Sequence, residues 1–278
     1  MNKQYPKVVS VVNLKGGVGK TTLCANLAYG LAYFKQKKVL LVDLDPQANA
    51  TQYLISQKSY RDIYLMKKTK KTIVELYYEI SKDNYNFNDQ ENKNIIISQF
   101  IQRVYTALPD GYLDILASKL ELGLLNVFGN ATIRRFNQLK KFIDLTGSNY
   151  EFIIVDCPPT ISDALFVGLF ASDYVLIPIK PDFLSSIGFP LLHKIITETY
   201  PDCIPNASNI KVLGIIYNMV DTRLNMTKES IAEVNELANN KDYQYHIFNS
   251  QISYTTKFSW SSKTALPIFR TEPASRYA

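Results

Sequence analysis

The chain has 278 residues, of which 46% are hydrophobic, so it can bury a large core within one α/β domain. Its 31 Lys and Arg residues outnumber its 25 Asp and Glu residues. The resulting net charge of +6 favours a polyanionic partner, although a well-solvated basic surface gives the same count. The three cysteines, Cys24, Cys157 and Cys203, form no C-x-x-C pair and have no histidine cluster beside them, which argues against a zinc site or a disulfide scaffold.

The N-terminus has only one short apolar run before a glycine-rich loop, so a signal peptide is not expected. No stretch of about 18 uncharged apolar residues occurs, and no membrane-spanning helix is expected either. Together with the odd number of cysteines, these features indicate a cytoplasmic protein.

Short β-branched apolar runs alternate with longer helical patterns along the chain. The predicted strands are Val8–Val12, Val39–Val42, Phe152–Val155, Tyr174–Ile179 and Val212–Ile216. The predicted helices are Thr21–Phe34, Ala164–Phe170, Leu184–Tyr200 and Thr227–Asn239. Because the runs carry few polar residues, they are expected to be covered on both faces. The alternation implies right-handed crossovers and a three-layer α/β fold, in which helices flank a mostly parallel central sheet.

The first predicted strand leads through a glycine-rich loop into a helix, in the segment Val8–Thr22 (VVSVVNLKGGVGKTT). The glycines let the backbone curl, so that successive N–H groups and the helix N-terminus form a cradle for an anion. Lys20 can reach the β- and γ-phosphates of a nucleotide, and the Thr21 hydroxyl can ligate Mg²⁺. This pattern predicts a P-loop that binds ATP and Mg²⁺. Its predicted nucleotide-binding residues are Gly16, Gly17, Val18, Gly19, Lys20, Thr21 and Thr22.

The loop departs from the usual phosphate-binding pattern, since Leu14 stands where a glycine is expected and Lys15 precedes the glycines. The form K-G-G-V-G-K-T-T resembles the deviant Walker A loop of the ParA/MinD superfamily, and the closest resemblance is to the ParA family of DNA-partitioning ATPases. The resemblance covers about residues 7–271. It implies that Lys15 reaches across a dimer interface to phosphates bound by the partner subunit. A cation at a shared phosphate site would tie dimerisation to ATP.

Two aspartates, Asp43 and Asp45, follow the second predicted strand in the segment Val39–Asn49 (VLLVDLDPQAN). Residues two apart can face the same side at the carboxyl end of a strand, where α/β sheets bind ligands. Alternatively, Asp45 caps the next helix. The resemblance implies that Asp45 orients or activates the attacking water as a catalytic residue, together with Lys15 and Lys20. It also places Asp43 near the Mg²⁺ shell.

A third aspartate, Asp156, ends the apolar run of the segment Phe152–Thr160 (FIIVDCPPT), which is a Walker B pattern. A carboxylate there holds Mg²⁺ directly or through water. Pro158 and Pro159 are expected to stop the strand and stiffen the next loop. Cys157 is expected to pack in the core, because no base stands beside it in the sequence.

Later segments resemble ParA proteins less closely. Asn218, in the segment Gly214–Asp221, matches the family's adenine-reading asparagine, although an asparagine at a strand end can also simply form a turn. The I-P-R-N-type loop of many ParA proteins is missing from Phe248–Thr256. The chain stops at Ser275–Ala278, where a further helix is expected to begin. The chain is therefore expected to form one domain, residues 1–278, with a short or absent C-terminal helix and without an N-terminal helix-turn-helix domain.

Candidate DNA contacts are the cations Arg223, Lys257, Lys263 and Arg270, which accompany aromatic residues near the C-terminus. A second basic stretch is Lys58–Lys71, and either region can instead be a solvated basic edge. The polar, Asn-rich stretch Asn84–Asn94 is expected to be a surface loop or insertion.

The leading hypothesis is a partition ATPase. ATP closes a homodimer, the dimer binds DNA non-specifically on the nucleoid, and a ParB-type centromere-binding partner stimulates hydrolysis. The main alternative is a MinD-type membrane-surface ATPase, but the C-terminal tail has two prolines and no sustained apolar face, and no membrane partner is expected. Other relatives are weighed as well: an iron protein like that of nitrogenase, a bacterial tyrosine kinase and a dethiobiotin-synthetase-like ligase. The iron protein requires suitably placed thiolates, and Cys24 and Cys157 are poorly placed to bridge a cluster. The kinase usually carries a C-terminal tyrosine cluster, and here only Tyr277 is near the end. The VDLDPQ segment argues against the ligase.

Overall fold

The structure is a computed structural model, and it describes residues 5–80, 90–126, 132–203 and 210–271. Its centre is a seven-stranded sheet in the order β3-β4-β2-β5-β1-β6-β7. All neighbouring strands run parallel except β3 and β4, which pair antiparallel at one edge. The strands are β1 (Lys7–Val11), β2 (Lys38–Asp43), β3 (Ile101–Thr106), β4 (Tyr112–Leu116), β5 (Phe152–Asp156), β6 (Tyr174–Ile179) and β7 (Lys211–Tyr217).

Helices cover both faces of this sheet. They are α1 (Lys20–Lys35), α2 (Asn49–Leu54), α3 (Gln57–Tyr60), α4 (Ile73–Ile80), α5 (Gln90–Phe100), α6 (Thr132–Thr146), α7 (Asp163–Ala171), α8 (Ser185–Lys194), α9 (Tyr200–Cys203), α10 (Asn225–Asn239), α11 (Lys257–Thr264) and α12 (Ile268–Thr271). Two π-helical segments, Arg61–Met66 and Ile195–Thr199, continue α3 and α8, and short 3₁₀ turns span Leu120–Asn126 and Gly147–Asn149. The expected three-layer α/β fold is confirmed.

The core has two halves because alternate residues of each strand face opposite sides of the sheet. On β2, Leu40 and Val42 pack with α4, α6 and α7, whereas Val39 and Leu41 pack with α1 and α2. Burying both faces requires strands that are apolar at nearly every position. This requirement explains why all five predicted strands and all four predicted helices are found within one or two residues of their predicted positions, apart from the π-helical continuation of α8.

Two features differ from the sequence-based expectations. The β3–β4 hairpin was not predicted, because Asp114 interrupts the apolar pattern of β4. Asp114 is buried in the sheet, where its carboxylate forms an ion pair with Arg103, its register partner on β3. The Asn-rich stretch is not simply a loop, since residues 90–94 begin helix α5, while residues 84–89 lie outside the described residues. The predicted end of the chain at Ser275–Ala278 also lies outside them.

Candidate functional site

The glycine-rich loop connects β1 to α1 and folds around the side chain of Lys20. The Lys20 Nζ donates hydrogen bonds to the carbonyl oxygens of Asn13 (2.8 Å) and Lys15 (3.1 Å). Helix α1 begins directly after Gly19 without a side-chain cap, so the amides of its first turn are available to an anion. Burial lowers the pKa of the Lys20 ammonium, an effect that the nearby Asp156 carboxylate opposes. Gly16, Gly17, Thr21 and Thr22 line the pocket in front of this loop.

Asn218 braces the loop from the end of β7. Its side-chain amide donates to the Val18 carbonyl (2.8 Å), and its Oδ1 accepts from the Met219 amide (3.0 Å). Gly19 has φ +82°, and a Cβ built on it would lie 2.4 Å from the Asn218 Nδ2. The loop therefore requires glycine at position 19 for both its backbone conformation and its packing.

Alanine substitutions of the three loop glycines are expected to differ in a graded way. Gly16→Ala should be nearly neutral in stability, because its φ is not left-handed and a Cβ would meet no atom within 4 Å. Gly17→Ala adds only the strain of a left-handed backbone at φ +73°, about 1–2 kcal/mol. Gly19→Ala adds the clash with Asn218 and should cost the most. Urea unfolding of the three variants without nucleotide measures this order, and equal losses for Gly16→Ala and Gly19→Ala would contradict it.

Two buried carboxylates lie side by side at the carboxyl ends of β2 and β5, where Asp43 and Asp156 are register partners. Asp156 accepts hydrogen bonds from the Thr21 hydroxyl (2.8 Å) and from the Cys24 thiol (3.6 Å). Asp43 accepts from the Asp45 amide (3.0 Å) and from the amide and hydroxyl of Thr51 (2.8 and 2.7 Å). Burial raises the pKa of both carboxyl groups, and at Asp43 the neighbouring Asp156 raises it further. Asp43 thus holds the following loop, whereas Asp156 faces the phosphate-binding loop.

A hard cation such as Mg²⁺ prefers oxygen ligands and usually keeps substrate phosphates and waters among them. The Thr21 hydroxyl and the Asp156 carboxylate supply such oxygens beside the loop. Across the described residues, no group of three or more His, Cys, Asp or Glu side chains could hold a metal. The oxygens of Thr21 and Asp156 fit a Mg²⁺ that is bound together with nucleotide phosphates. The oxygens of Asp43 already accept three hydrogen bonds. The metal role predicted for Asp43 stays a prediction.

Asp45 lies on the same pocket wall as Lys20 and Thr21. Its Oδ1 accepts from the Gln47 amide (2.9 Å), which orders the turn before α2. The residue that precedes α2 is Ala48, so Asp45 is not the N-cap of that helix. Its carboxylate is half-buried and reaches the pocket, as a residue that orients water requires.

Two joined pockets surround the loop. The first, of about 740 Å³, extends from the loop past Asp45 and Pro159 to helices α2, α3 and α11. The second, of about 370 Å³, lies between Asn218 and Phe258 and is walled by residues 253–256. Gly17, Gly19 and Thr22 line both pockets, so a ligand with its phosphates at the loop can extend into the second pocket. The hydroxyl-rich wall at residues 253–256 was not predicted, since the sequence there lacks the expected motif.

Lys15 does not line the large pocket. Its ammonium forms an ion pair with Asp182, which follows the carboxyl end of β6, and its amide donates to Asn13 Oδ1 (2.9 Å). Asp182 and Asn13 were not predicted from the sequence. A polar residue just past the end of a buried strand, like Asp43 and Asp156, is the signal that could have found them.

Both described cysteine thiols are buried beside Asp156. Burial raises the pKa of Cys157 to about 12 and raises that of Cys24 well above its usual value. Both groups therefore stay protonated at neutral pH, which agrees with the packing role expected for Cys157. Cys24 was not singled out in the sequence, yet its thiol donates to Asp156.

The four cations predicted to contact DNA lie in different settings. Arg223 forms two hydrogen bonds with Asp221, at 2.7 and 2.6 Å. Arg270 packs over the Tyr105 ring at 5.5 Å and is 3.4 Å from the Tyr29 hydroxyl. Lys263 lines the large pocket, and Lys257 begins the same helix, α11. Their role in DNA binding stays a prediction.

A glycine loop follows β1 of a parallel sheet, a lysine and a hydroxyl begin α1, and a buried aspartate ends β5. These features define a P-loop ATPase. A sequence model of the AAA domain family matches residues 6–212. The sporulation initiation inhibitor protein Soj of Bacillus subtilis is 28% identical over 98% of this chain and 94% of its own length. The chromosome partitioning protein ParA of Myxococcus xanthus is 30% identical over 82% of this chain and 70% of its own length.

A solved structure shares this fold. The structure of an ATP complex of McdA from Cyanothece superposes with a TM-score of 0.72 at 18% identity, over 97% of this chain and 91% of that one. The chain belongs to the ParA family of partition ATPases. No helix among the described residues has the length and hydrophobicity needed to cross a membrane.

Proposed function

We propose that the protein drives partition of a DNA molecule through an ATP-dependent cycle. ATP closes a homodimer, the dimer binds DNA without sequence preference, and a ParB-type centromere-binding partner stimulates hydrolysis. The observation that carries the proposal is the position of Lys15. Lys20 already serves the chain's own phosphate loop, whereas Lys15 points away to an ion pair on the same edge of the sheet. A second lysine so placed can serve the phosphates of another subunit.

Within each subunit the residues divide the work. The loop amides and Lys20 bind the phosphates, and Thr21 and Asp156 would hold Mg²⁺, which when bound neutralises phosphate charge. Asp45 orients the attacking water and accepts its proton, because it is the carboxylate on the pocket wall that is not committed to the core. Asn218 and the wall at residues 253–256 contact the base.

The proposal predicts that Lys15→Gln abolishes ATP-dependent dimerisation while leaving ATP binding by the monomer in place. The reason is that glutamine keeps a polar side chain of nearly the same length but removes the charge that the partner's phosphates attract. Light scattering with ATP and with ADP measures the dimer. Lys35→Gln, at the exposed end of α1, removes the same charge and should leave the dimer intact. Persistence of the dimer in Lys15→Gln would reject the role across the interface.

A further inference from the structure

A basic lobe, residues 57–68, lies at the surface of the protein next to the nucleotide pocket. It consists of α3, its π-helical continuation Arg61–Met66, and the two lysines that follow. Four cations of the lobe are exposed, namely Lys58, Arg61, Lys67 and Lys68. Through their side chains these four make no ion pair or hydrogen bond with any residue in the described parts of the chain. Since Asp62 is the one acidic residue between positions 57 and 68, the lobe has a net charge of +3.

The lobe is held firmly by its inner face. Tyr64 is buried, and its ring lies 5.4 Å from that of Tyr60. The Tyr60 hydroxyl donates to the carbonyl of Ser118, just beyond β4, at 3.3 Å. Lys58 and Arg61 are three positions apart on the helix, so they share the outer face. The cations are therefore presented to solvent on an anchored element.

Three of the C-terminal cations already have other contacts, although all three are exposed. Arg223 is held by both oxygens of Asp221, and Arg270 packs against Tyr29 and Tyr105. Lys263 lines the nucleotide pocket. A phosphate backbone at these three cations would exchange a contact or compete with the nucleotide, whereas the four cations of the lobe have no side-chain partner among the described residues.

The lobe is also continuous with the nucleotide pocket. Ser56 and Gln57 line the large pocket together with the phosphate loop, and Lys58 follows them directly on the same helix. Gln57, on the wall of this pocket, is one helical turn away from Arg61. A nucleotide in the pocket would therefore lie against the element that carries the cations.

We propose that the basic lobe is the surface through which the ATP-bound protein contacts the phosphate backbone of duplex DNA. This inference rests on the DNA binding in the proposed function and identifies its location. Backbone contacts need only cations, without reading of the bases. An acidic membrane fits less well, because Leu65 and Met66 are the only large apolar side chains exposed on the lobe, too few for a membrane-inserted face.

The test compares two variants that each lose four positive charges. The lobe variant carries Lys58→Gln, Arg61→Gln, Lys67→Gln and Lys68→Gln. The matched C-terminal variant carries Arg223→Gln, Lys257→Gln and Arg270→Gln. Because Lys263 lines the nucleotide pocket, the fourth change is Lys228→Gln, at an exposed lysine of α10. Fluorescence anisotropy with a random duplex, with ATP, ADP or no nucleotide, is measured across a salt series. Two half-variants, Lys58→Gln with Arg61→Gln and Lys67→Gln with Lys68→Gln, test the lobe with fewer changes in case the fourfold variant misfolds. An ATP-dependent increase in the unfolding midpoint verifies that each variant is folded.

The lobe variant is expected to bind DNA at least tenfold more weakly at about 150 mM salt, and each lost phosphate contact should lower the salt slope by about 0.9. The C-terminal variant should keep most of the affinity. The inference is overturned if only the C-terminal variant loses binding while the wild type binds. Wild-type protein that binds no DNA in any nucleotide state overturns both this inference and the DNA step of the proposed function. Lobe-dependent binding to phosphatidylglycerol vesicles, without DNA binding, overturns it in favour of a membrane surface.

Discussion

Lys20→Ala is expected to weaken ATP binding strongly. Lys20 is the buried cation of the phosphate loop, and its ammonium can exchange the carbonyls of Asn13 and Lys15 for phosphate oxygens. Removing one partner of a buried, hydrogen-bonded charge pair costs about 2–5 kcal/mol. Affinity should therefore fall by about 30-fold to several thousand-fold, at about 1.4 kcal/mol for each tenfold.

Thermal unfolding with and without ATP measures this loss. A ligand that binds the folded state raises the midpoint of unfolding, so the ATP-dependent increase expected of the wild type should be much smaller in Lys20→Ala at the same ATP concentration. Lys35→Ala, at the other end of α1, is the control and should keep the full increase. An unchanged ATP-dependent increase in Lys20→Ala would show that the triphosphate does not bind at this loop.

Asp45→Ala is expected to stop hydrolysis while ATP still binds. Positioned general bases contribute about 10²–10⁴-fold to rate, so the turnover of ATP should fall by at least 10²-fold. The phosphate-binding groups remain in place, and the ATP-dependent increase in the unfolding midpoint should persist. The variant would then hold ATP and accumulate as the closed dimer.

A second substitution separates the chemistry from the local fold. Asp45 Oδ1 also accepts from the Gln47 amide, and Asp45→Asn keeps an oxygen for that bond while removing the charge. Asp45→Asn should therefore lose turnover much as Asp45→Ala does, with smaller effects on stability. Asp144→Ala, which removes an exposed carboxylate on α6, should leave turnover unchanged. Turnover within threefold of wild type in both Asp45 variants would assign the water-orienting role to another group.

The phosphate loop could be located from sequence because its signals are local. A strand, three glycines, a lysine and a threonine lie within fifteen residues, and their geometry follows from backbone conformations that glycine favours. The aspartates at the ends of β2 and β5 were found for a similar reason, since a polar residue after a buried apolar run marks the ligand-binding edge of a parallel sheet. Their different environments were not visible, because the Thr51 contacts of Asp43 depend on where α2 folds back.

Contacts between distant segments were not accessible in the same way. The strand β4 was not predicted because Asp114 interrupts its apolar pattern. The ion pair of Asp114 with Arg103 forms only because the register of the β3–β4 hairpin places the two residues opposite each other. The ion pair of Lys15 with Asp182 joins residues 167 positions apart in the chain. The braces from Asn218 to Val18 and from Tyr60 to Ser118 are likewise set by tertiary packing.

The sequence by itself determined the fold class, the phosphate loop and the family, because hydrophobic periodicity and glycine conformation act over a few neighbouring residues. Only the tertiary structure decided which charged groups are free and which are paired. It assigned Arg223 and Arg270 to partners, placed Lys263 at the nucleotide pocket and left the cations of the basic lobe without side-chain partners among the described residues. The physical reason is that the availability of a charge depends on the groups that folding brings within a few ångströms of it, and residue order does not specify those groups.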